Sequence, residues 1–167
     1  CVLRAGLASG LGLSYECNSG GCGSCKFELL EGEVETLWAE APGLSARDIK
    51  KNRRLACQSR ALTDLRIKMH TAPEFQLPVP AGRQSLILLE RRAVTEDIVE
   101  FRFQAAREAV FLPGQYALLH LPGVGAPRAY SMSNLPNQDG EWAFWVRRVA
   151  GGAGTTVLFE ELRRGDH

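Results

Sequence analysis

Cys17-Asn18-Ser19-Gly20-Gly21-Cys22-Gly23-Ser24-Cys25, answered far along the chain by Cys57, is the stretch that decides how the first part of this sequence folds. Three cysteines separated by four and then two residues, with a fourth downstream, form the plant-type arrangement of [2Fe–2S] ligands. A single loop that supplies three thiolates must fold back sharply and turn backbone N–H groups toward sulfur, and Gly20, Gly21 and Gly23 permit it. Such N–H···S contacts and burial tune the potential, which for plant-type clusters lies near about −400 mV. Two other uses of four cysteines stay open at this point. Structural zinc usually takes Cys-x2-Cys pairs, whereas the Cys57 side offers one cysteine. Disulfides would need an oxidising compartment, of which the sequence carries no sign. The fifth cysteine, Cys1, lies outside the loop on an apolar helical face and reads as a small core residue.

Upstream of the loop, Leu3, Leu7 and Leu11 recur at four-residue steps, which predicts a short helix within Val2 to Leu13 ended by Gly12. Downstream, Lys26 to Leu30 reads as a strand, Gly32 as a turn and Val34 to Leu37 as a short extended piece. Ser45 is the expected N-cap of a helix to Lys51, with Asp48 completing a capping-box variant. Leu55 to Ser59 and Leu65 to Met69 read as strands. These elements define a small α+β domain over 1–70.

Pro73, Pro78, Pro80 and Gly82 then interrupt any regular pattern, so 71–83 is expected to be a semi-stiff linker. Beyond it, over 84–167, strands are predicted at Leu86 to Leu89, at the alternating Val99-x-Phe101-x-Phe103, at Tyr116 to Leu121 and at Trp142 to Val146. Pro113-Gly114, Pro136-Asn137 and Asp139-Gly140 separate them, which argues an antiparallel barrel. A helical pattern, Thr156 to Arg164, follows the small-residue run Gly151-Gly152-Ala153-Gly154. His70, His120 and His167 show no ligand-like spacing, and Trp38, Trp142 and Trp145 read as core or barrel surface.

Bulk composition excludes several classes. Twenty Lys and Arg against nineteen Asp and Glu leave a net charge of +1, so neither nucleic acid nor an anionic membrane is an expected partner. No apolar run approaches the roughly 20 residues of a membrane span, and the cysteine usage suits reduced thiols, so a cytoplasmic protein is expected. The chain starts with Cys inside a helical pattern and stops after another, and is read as a fragment incomplete at both ends. On that reading the first helix lacks strands to cover its leucines.

Tyr15 to Lys26, joined to Leu55-Ala56-Cys57-Gln58, resembles the ferredoxin domain in reductase components of bacterial multicomponent aromatic-ring oxygenases. Asn18 at the loop's second position resembles the toluene and phenol monooxygenase type. The resemblance implies a β-grasp ferredoxin domain, with two strands expected before the first helix that are missing here. The second half resembles the family's flavin-binding barrel: Arg128-Ala129-Tyr130-Ser131 matches its Arg-x-Tyr-Ser motif, and Pro113-Gly114-Gln115-Tyr116 resembles the strand start that precedes it. Gly151 to Thr155 resembles its phosphate-binding turn.

The chemistry of these residues fits that resemblance. A guanidinium can fork onto a phosphate, a tyrosine ring offers a flat face to an isoalloxazine, and a serine hydroxyl can hydrogen-bond near its reactive nitrogen. Small residues let backbone N–H groups approach a pyrophosphate, with Thr155 and Thr156 supplying hydroxyls. The resemblance therefore implies FAD held by Arg128, Tyr130, Ser131, Gly152, Thr155 and Thr156, a [2Fe–2S] cluster held by Cys17, Cys22, Cys25 and Cys57, and NAD(P)H as electron donor. The nicotinamide domain, whose Gly-x-Gly-x-x-Gly is absent, would follow the barrel. The implied partner is an oxygenase or hydroxylase component, or its small ferredoxin or effector protein. A Rieske-type dioxygenase partner and a ferredoxin-like carrier with a docking barrel are the alternatives.

Overall fold

The computed structural model describes residues 1–79 and 81–167, so Pro80 of the expected linker lies outside the described residues. Contacts divide the chain into two units, Cys1–Gly82 and Arg83–His167.

The first unit opens with α1 (Val2–Ala8), which buries Leu3 and Leu7. It ends well before the expected Gly12. Gly10 takes a φ of 76°, the Gly10 N–H reaches Leu7 O at 3.1 Å and the Leu11 N–H reaches Gly6 O at 3.0 Å, which is the Schellman pattern of a helix end. Leu11 is thereby turned outward, 53% exposed, and Leu13 takes the core place expected for it. Leu13 bridges Thr71, and the Ala72 N–H donates to Gly12 O at 3.1 Å. Thr71, Ala72 and Leu77, within the stretch 71–83 expected as a linker, thus pack on this unit, Leu77 against its core.

Strand β1 (Lys26–Glu31) is the centre of an antiparallel sheet in the order β3-β1-β5, flanked by β3 (Arg53–Leu55) and β5 (Arg66–Met69). Strands β2 (Val34–Thr36) and β4 (Ser59–Ala61) form a separate antiparallel pair. Between β2 and β3 lies α2 (Ala46–Lys50), capped as expected: Ser45 Oγ accepts from the Asp48 N–H and the Asp48 carboxylate accepts from the Ser45 N–H, each at 3.2 Å.

The single strand expected over Leu55–Ser59 is instead interrupted by a 3-10 turn, Ala56–Gln58. The Ala56 N–H donates to Cys25 O at 2.9 Å where the β1 ladder ends, and Ser59 Oγ donates to Leu55 O at 2.8 Å, so the chain curls there. The curl places Cys57 beside Cys25, Phe27, Leu3 and Leu7 in one buried cluster. It also supplies the cover that α1 was expected to lack, since α1 packs on this turn and on β4.

The second unit is antiparallel throughout. Strands β6 (Leu86–Ala93), β7 (Ile98–Ala105) and β10 (Glu141–Arg147) form a sheet in the order β10-β7-β6, and β8 (Tyr116–Leu119) pairs with β9 (Arg128–Ser131). A Met132–Phe144 bridge ties the ribbon to β10. The alternation expected on β7 is present: Phe101, Phe103 and Ala105 face the core with Leu88, Phe144 and Val146, as a period of two requires. Glu100, on the opposite face, is also buried, where Arg92 approaches at 3.1 Å and Trp145 Nε1 donates at 2.9 Å.

The final helix begins earlier than expected, as α3 (Ala153–Thr156), and runs into a π-helical turn, Val157–Glu161. From β6, Arg91 donates to the carbonyls of Leu158 (3.4 Å), Phe159 (3.0 Å) and Leu162 (2.6 Å), groups that a helix end leaves without partners. Among the described residues no helix is long and apolar enough to cross a membrane.

Candidate cofactor sites

The cysteine loop is held in a sharply folded form by two left-handed positions in particular, Asn18 at φ 50° and Gly20 at φ 92°. The fold turns N–H groups onto sulfur: Ser19 and Cys22 each donate to Cys17 Sγ at 3.4 Å, and Ser24 donates to Cys22 Sγ at 3.5 Å. Cys25 and Cys57 are buried, Cys17 is half-buried and Cys22 is exposed, so the loop lies where core meets solvent. None of the cysteines is joined in a disulfide.

Their acidities follow from these contacts. Burial works to raise the Cys17 thiol, but hydrogen bonds from Ser19 and Cys22 outweigh it and bring it down to about 6. The Cys57 thiol hydrogen-bonds to Cys25 and, against burial, brings Cys25 down to about 6. The same bond, then burial and the Cys25 charge, pushes Cys57 up. Metal binding would release the protons that the thiols hold. Among the described residues no set of three or more His, Cys, Asp or Glu is gathered tightly enough for a lone metal ion. A two-iron cluster divides its four thiolates between two metals joined by sulfide, and so needs a wider donor set than one ion. Two thiols lowered by hydrogen bonds, amides aimed at sulfur and a glycine-lined loop fit such a cluster.

A support that the sequence reading missed lies behind the loop. The Gly43 N–H donates to Gly20 O at 2.9 Å, and a Cβ at Gly43 would come within 2.6 Å of Gly20 O and 2.7 Å of Gly23 N. The Trp38 ring packs over Gly20, where a Cβ would meet Cε3 at 3.0 Å. No local motif marks Gly43; only the loop's return path makes its missing side chain necessary.

In the second unit Arg128, Tyr130 and Ser131 lie on β9, an element not expected as a strand, opposite Leu119, Ala117 and Tyr116 of β8. Arg128 and Ser131 are exposed and Tyr130 is half-buried; burial raises the Tyr130 phenol above its ordinary value, against the charge of Arg128. Arg128 crosses the distant small-residue turn: a Cβ at Gly154 would meet its Cγ at 3.0 Å. Two segments separated by more than twenty residues therefore share one surface, with Arg128 Nη1 donating to Ala126 O at 3.0 Å and guanidinium donors left over.

Gly151 has a φ of 68° and Gly152 is the N-cap residue of α3. Thr155, expected to offer its hydroxyl outward, is buried, with Oγ1 3.0 Å from both Val149 O and Gly152 O and accepting from the Val149 N–H at 3.4 Å. A Cβ at Gly152 would reach that hydroxyl at 2.7 Å. Thr155 thus closes the turn on itself. The Thr156 hydroxyl, half-buried beside it, has no hydrogen-bond partner among the described residues. Small residues, a turn closed by the Thr155 hydroxyl and an exposed guanidinium fit a dinucleotide's phosphates.

Residues 1–62 match the model of the 2Fe-2S iron-sulfur cluster binding domain, and residues 85–167 that of the oxidoreductase FAD-binding domain. The chain thus pairs an iron–sulfur domain with a flavin domain, and its relatives are ferredoxin reductases. It is 48% identical over 168 residues to a ferredoxin–NAD(P)(+) reductase of Metapseudomonas resinovorans, covering 98% of this chain and 50% of that protein. It is 42% identical over 165 residues to the ferredoxin–NAD(+) reductase component of the alkene monooxygenase system of Xanthobacter autotrophicus, with coverages of 98% and 50%. Among solved structures, the ferredoxin reductase in carbazole 1,9a-dioxygenase superposes with a TM-score of 0.94 at 45% identity, covering 98% of this chain and 52% of that one. The chain spans about half the length of the relatives it matches.

Proposed function

We propose that this chain carries the electron path of an NAD(P)H-dependent reductase, from FAD in the second unit to a [2Fe–2S] cluster in the first and on to an oxygenase component in the cytoplasm. The observation that carries the reading is the occurrence of two different cofactor cradles in one chain: sulfur-directed amides around Cys17 and Cys22, and Arg128 laid across Gly154. Bound FAD would accept two electrons together as hydride and release them singly, which is what a one-electron cluster needs from its donor.

In this reading Cys17, Cys22, Cys25 and Cys57 ligate the irons, and the Ser19, Cys22 and Ser24 amides stabilise charge on their sulfurs. Arg128 and the Gly152–Thr156 turn hold the pyrophosphate, Thr155 by keeping the turn closed and Thr156 by its outer hydroxyl. Tyr130 supplies a flat face and Ser131 a hydroxyl for the flavin ring. The names of the relatives cover both monooxygenase and dioxygenase systems and support an oxygenase partner of either kind.

The test is anaerobic reconstitution of the chain with iron, sulfide and FAD, read by its visible spectrum with iron and labile-sulfide analysis. Both cofactors should bind. A product holding iron and sulfide but no flavin supports the carrier with a docking barrel, and one holding four-cysteine zinc overturns the cluster. In the full-length protein, rapid mixing with NADH and with NADPH should reduce flavin before cluster.

A further inference from the structure

Lys26 directly follows the third cysteine of the loop, and its side chain does not extend freely into solvent. It lies back along the loop: a Cβ at Gly23 would come within 3.2 Å of Lys26 Cε and 3.4 Å of its Nζ. The ammonium therefore rests against the peptides between Cys22 and Cys25, in space that exists because residue 23 has no side chain. Asp48 holds it there, with Lys26 Nζ 2.9 Å from Oδ2.

Asp48 is itself fixed from several sides. It is buried, bonded to the Ser45 hydroxyl at 2.6 Å and to the Ser45 N–H, and approached by Arg53 at 3.2 Å. Ser45 follows closely on Gly43, whose N–H grips the loop at Gly20. One segment thus supports the loop's backbone and anchors the charge beside it. That one carboxylate therefore faces two cations, of which Lys26 is the one laid against Gly23.

Reduction adds one negative charge to a cluster, and a nearby cation favours the reduced form in proportion to its closeness and to the lack of screening water. Lys is a compact point charge on a flexible stem, so its effect depends on being held in place. We propose that Lys26 raises the reduction potential of the cluster, with Asp48 as the positioning residue that keeps it against Gly23. The inference rests on the reading of the four cysteines as cluster ligands.

Its test is potentiometry of the FAD- and iron–sulfide-loaded full chain, with the cluster's visible and EPR spectra recorded alongside. Lys26→Met should move the midpoint to lower potential with the spectra intact, and Lys26→Arg, which keeps the charge, should restore most of the shift. Lys26→Gln serves as the second uncharged variant if the Met variant takes up no cluster. Arg66→Gln, which removes a cation paired with Glu31 at the far end of β1, should leave the midpoint in place. An unchanged midpoint in the Met or Gln variant, or an equal shift in Arg66→Gln, overturns the proposal. A wild-type chain that stays colourless overturns the cluster reading instead, which is a separate result.

Discussion

On the reading proposed above, the cysteine loop and the Gly151–Thr156 turn solve the same problem, bringing backbone N–H groups to an anionic group, in opposite ways. The loop is crowded at Gly23 and at Gly43 behind it, where an added Cβ would strike main chain at 2.6–2.7 Å, and at Gly20, where it would meet the Trp38, Gln58 and Ala41 side chains. The flavin turn is open on its outer side, since nothing lies within 4 Å of a Cβ at Gly151, and it is fastened by one buried hydroxyl from within. A crowded site should fail abruptly on substitution and an open one by degrees.

The largest effect that would sharpen this contrast comes from Cys57→Ala. It should abolish iron and sulfide uptake while the flavin band persists, measured by metal analysis and absorption; loss of flavin as well would show that the two sites are not independent. Gly43→Ala comes next. Its methyl group meets backbone atoms of Gly20 and Gly23, and strain of about 1–3 kcal/mol is expected from such overpacking, seen as a lower melting temperature and reduced iron content.

On the open side, Arg128→Ala should weaken FAD binding by about ten- to a hundredfold in a fluorescence titration, since hydrogen bonds to charged groups contribute about 1.5–3 kcal/mol. Thr155→Val leaves the Val149 and Gly152 carbonyls without their hydroxyl and should weaken FAD roughly tenfold, with cluster content unchanged. If Thr155→Val abolished binding as completely as Cys57→Ala abolishes the cluster, the contrast between crowded and open sites would be wrong.

The smallest effect concerns pH. The Ser45 hydroxyl first, then Lys26, hold the Asp48 carboxyl well below the usual carboxylate range. A depressed folded-state pKa adds stability that is complete above the unfolded value near 3.9 and is lost as pH falls from there through the folded value. Asp48→Asn should therefore lower stability at neutral pH, where the charged carboxylate contributes in full, and flatten the acid limb below about pH 4 until variant and wild type converge, followed by circular dichroism.

Much of this was legible because some residues carry their chemistry locally. The cysteine spacing names its cofactor, Ser45 and Asp48 form their box within one helical turn, and the β7 alternation can be read one strand at a time. The rest depends on parts of the chain meeting. Leucine spacing alone cannot distinguish a helix stopped by Gly10 from one stopped by Gly12, because the left-handed Gly10 is chosen where Leu13 must meet Thr71. The curl at Cys57 follows from the Ala56 bond to Cys25, a partner thirty-one residues away. Thr155 has the chemistry of a phosphate-facing residue, and the carbonyls of Val149 and Gly152 turn its hydroxyl inward. Arg128 and Gly154 share a surface that no window of sequence contains.

Arg91 extends this lesson to anyone who would transplant the flavin turn into another barrel. Its bonds to the carbonyls of Leu158, Phe159 and Leu162 mean that the segment after the turn is terminated by a side chain from the opposite end of the unit's sequence. A chimera that copied Gly151 to Leu162 without an arginine at the matching place on its first strand would inherit the right peptide with a frayed end. The transferable module is therefore discontinuous, one strand residue plus one helical segment.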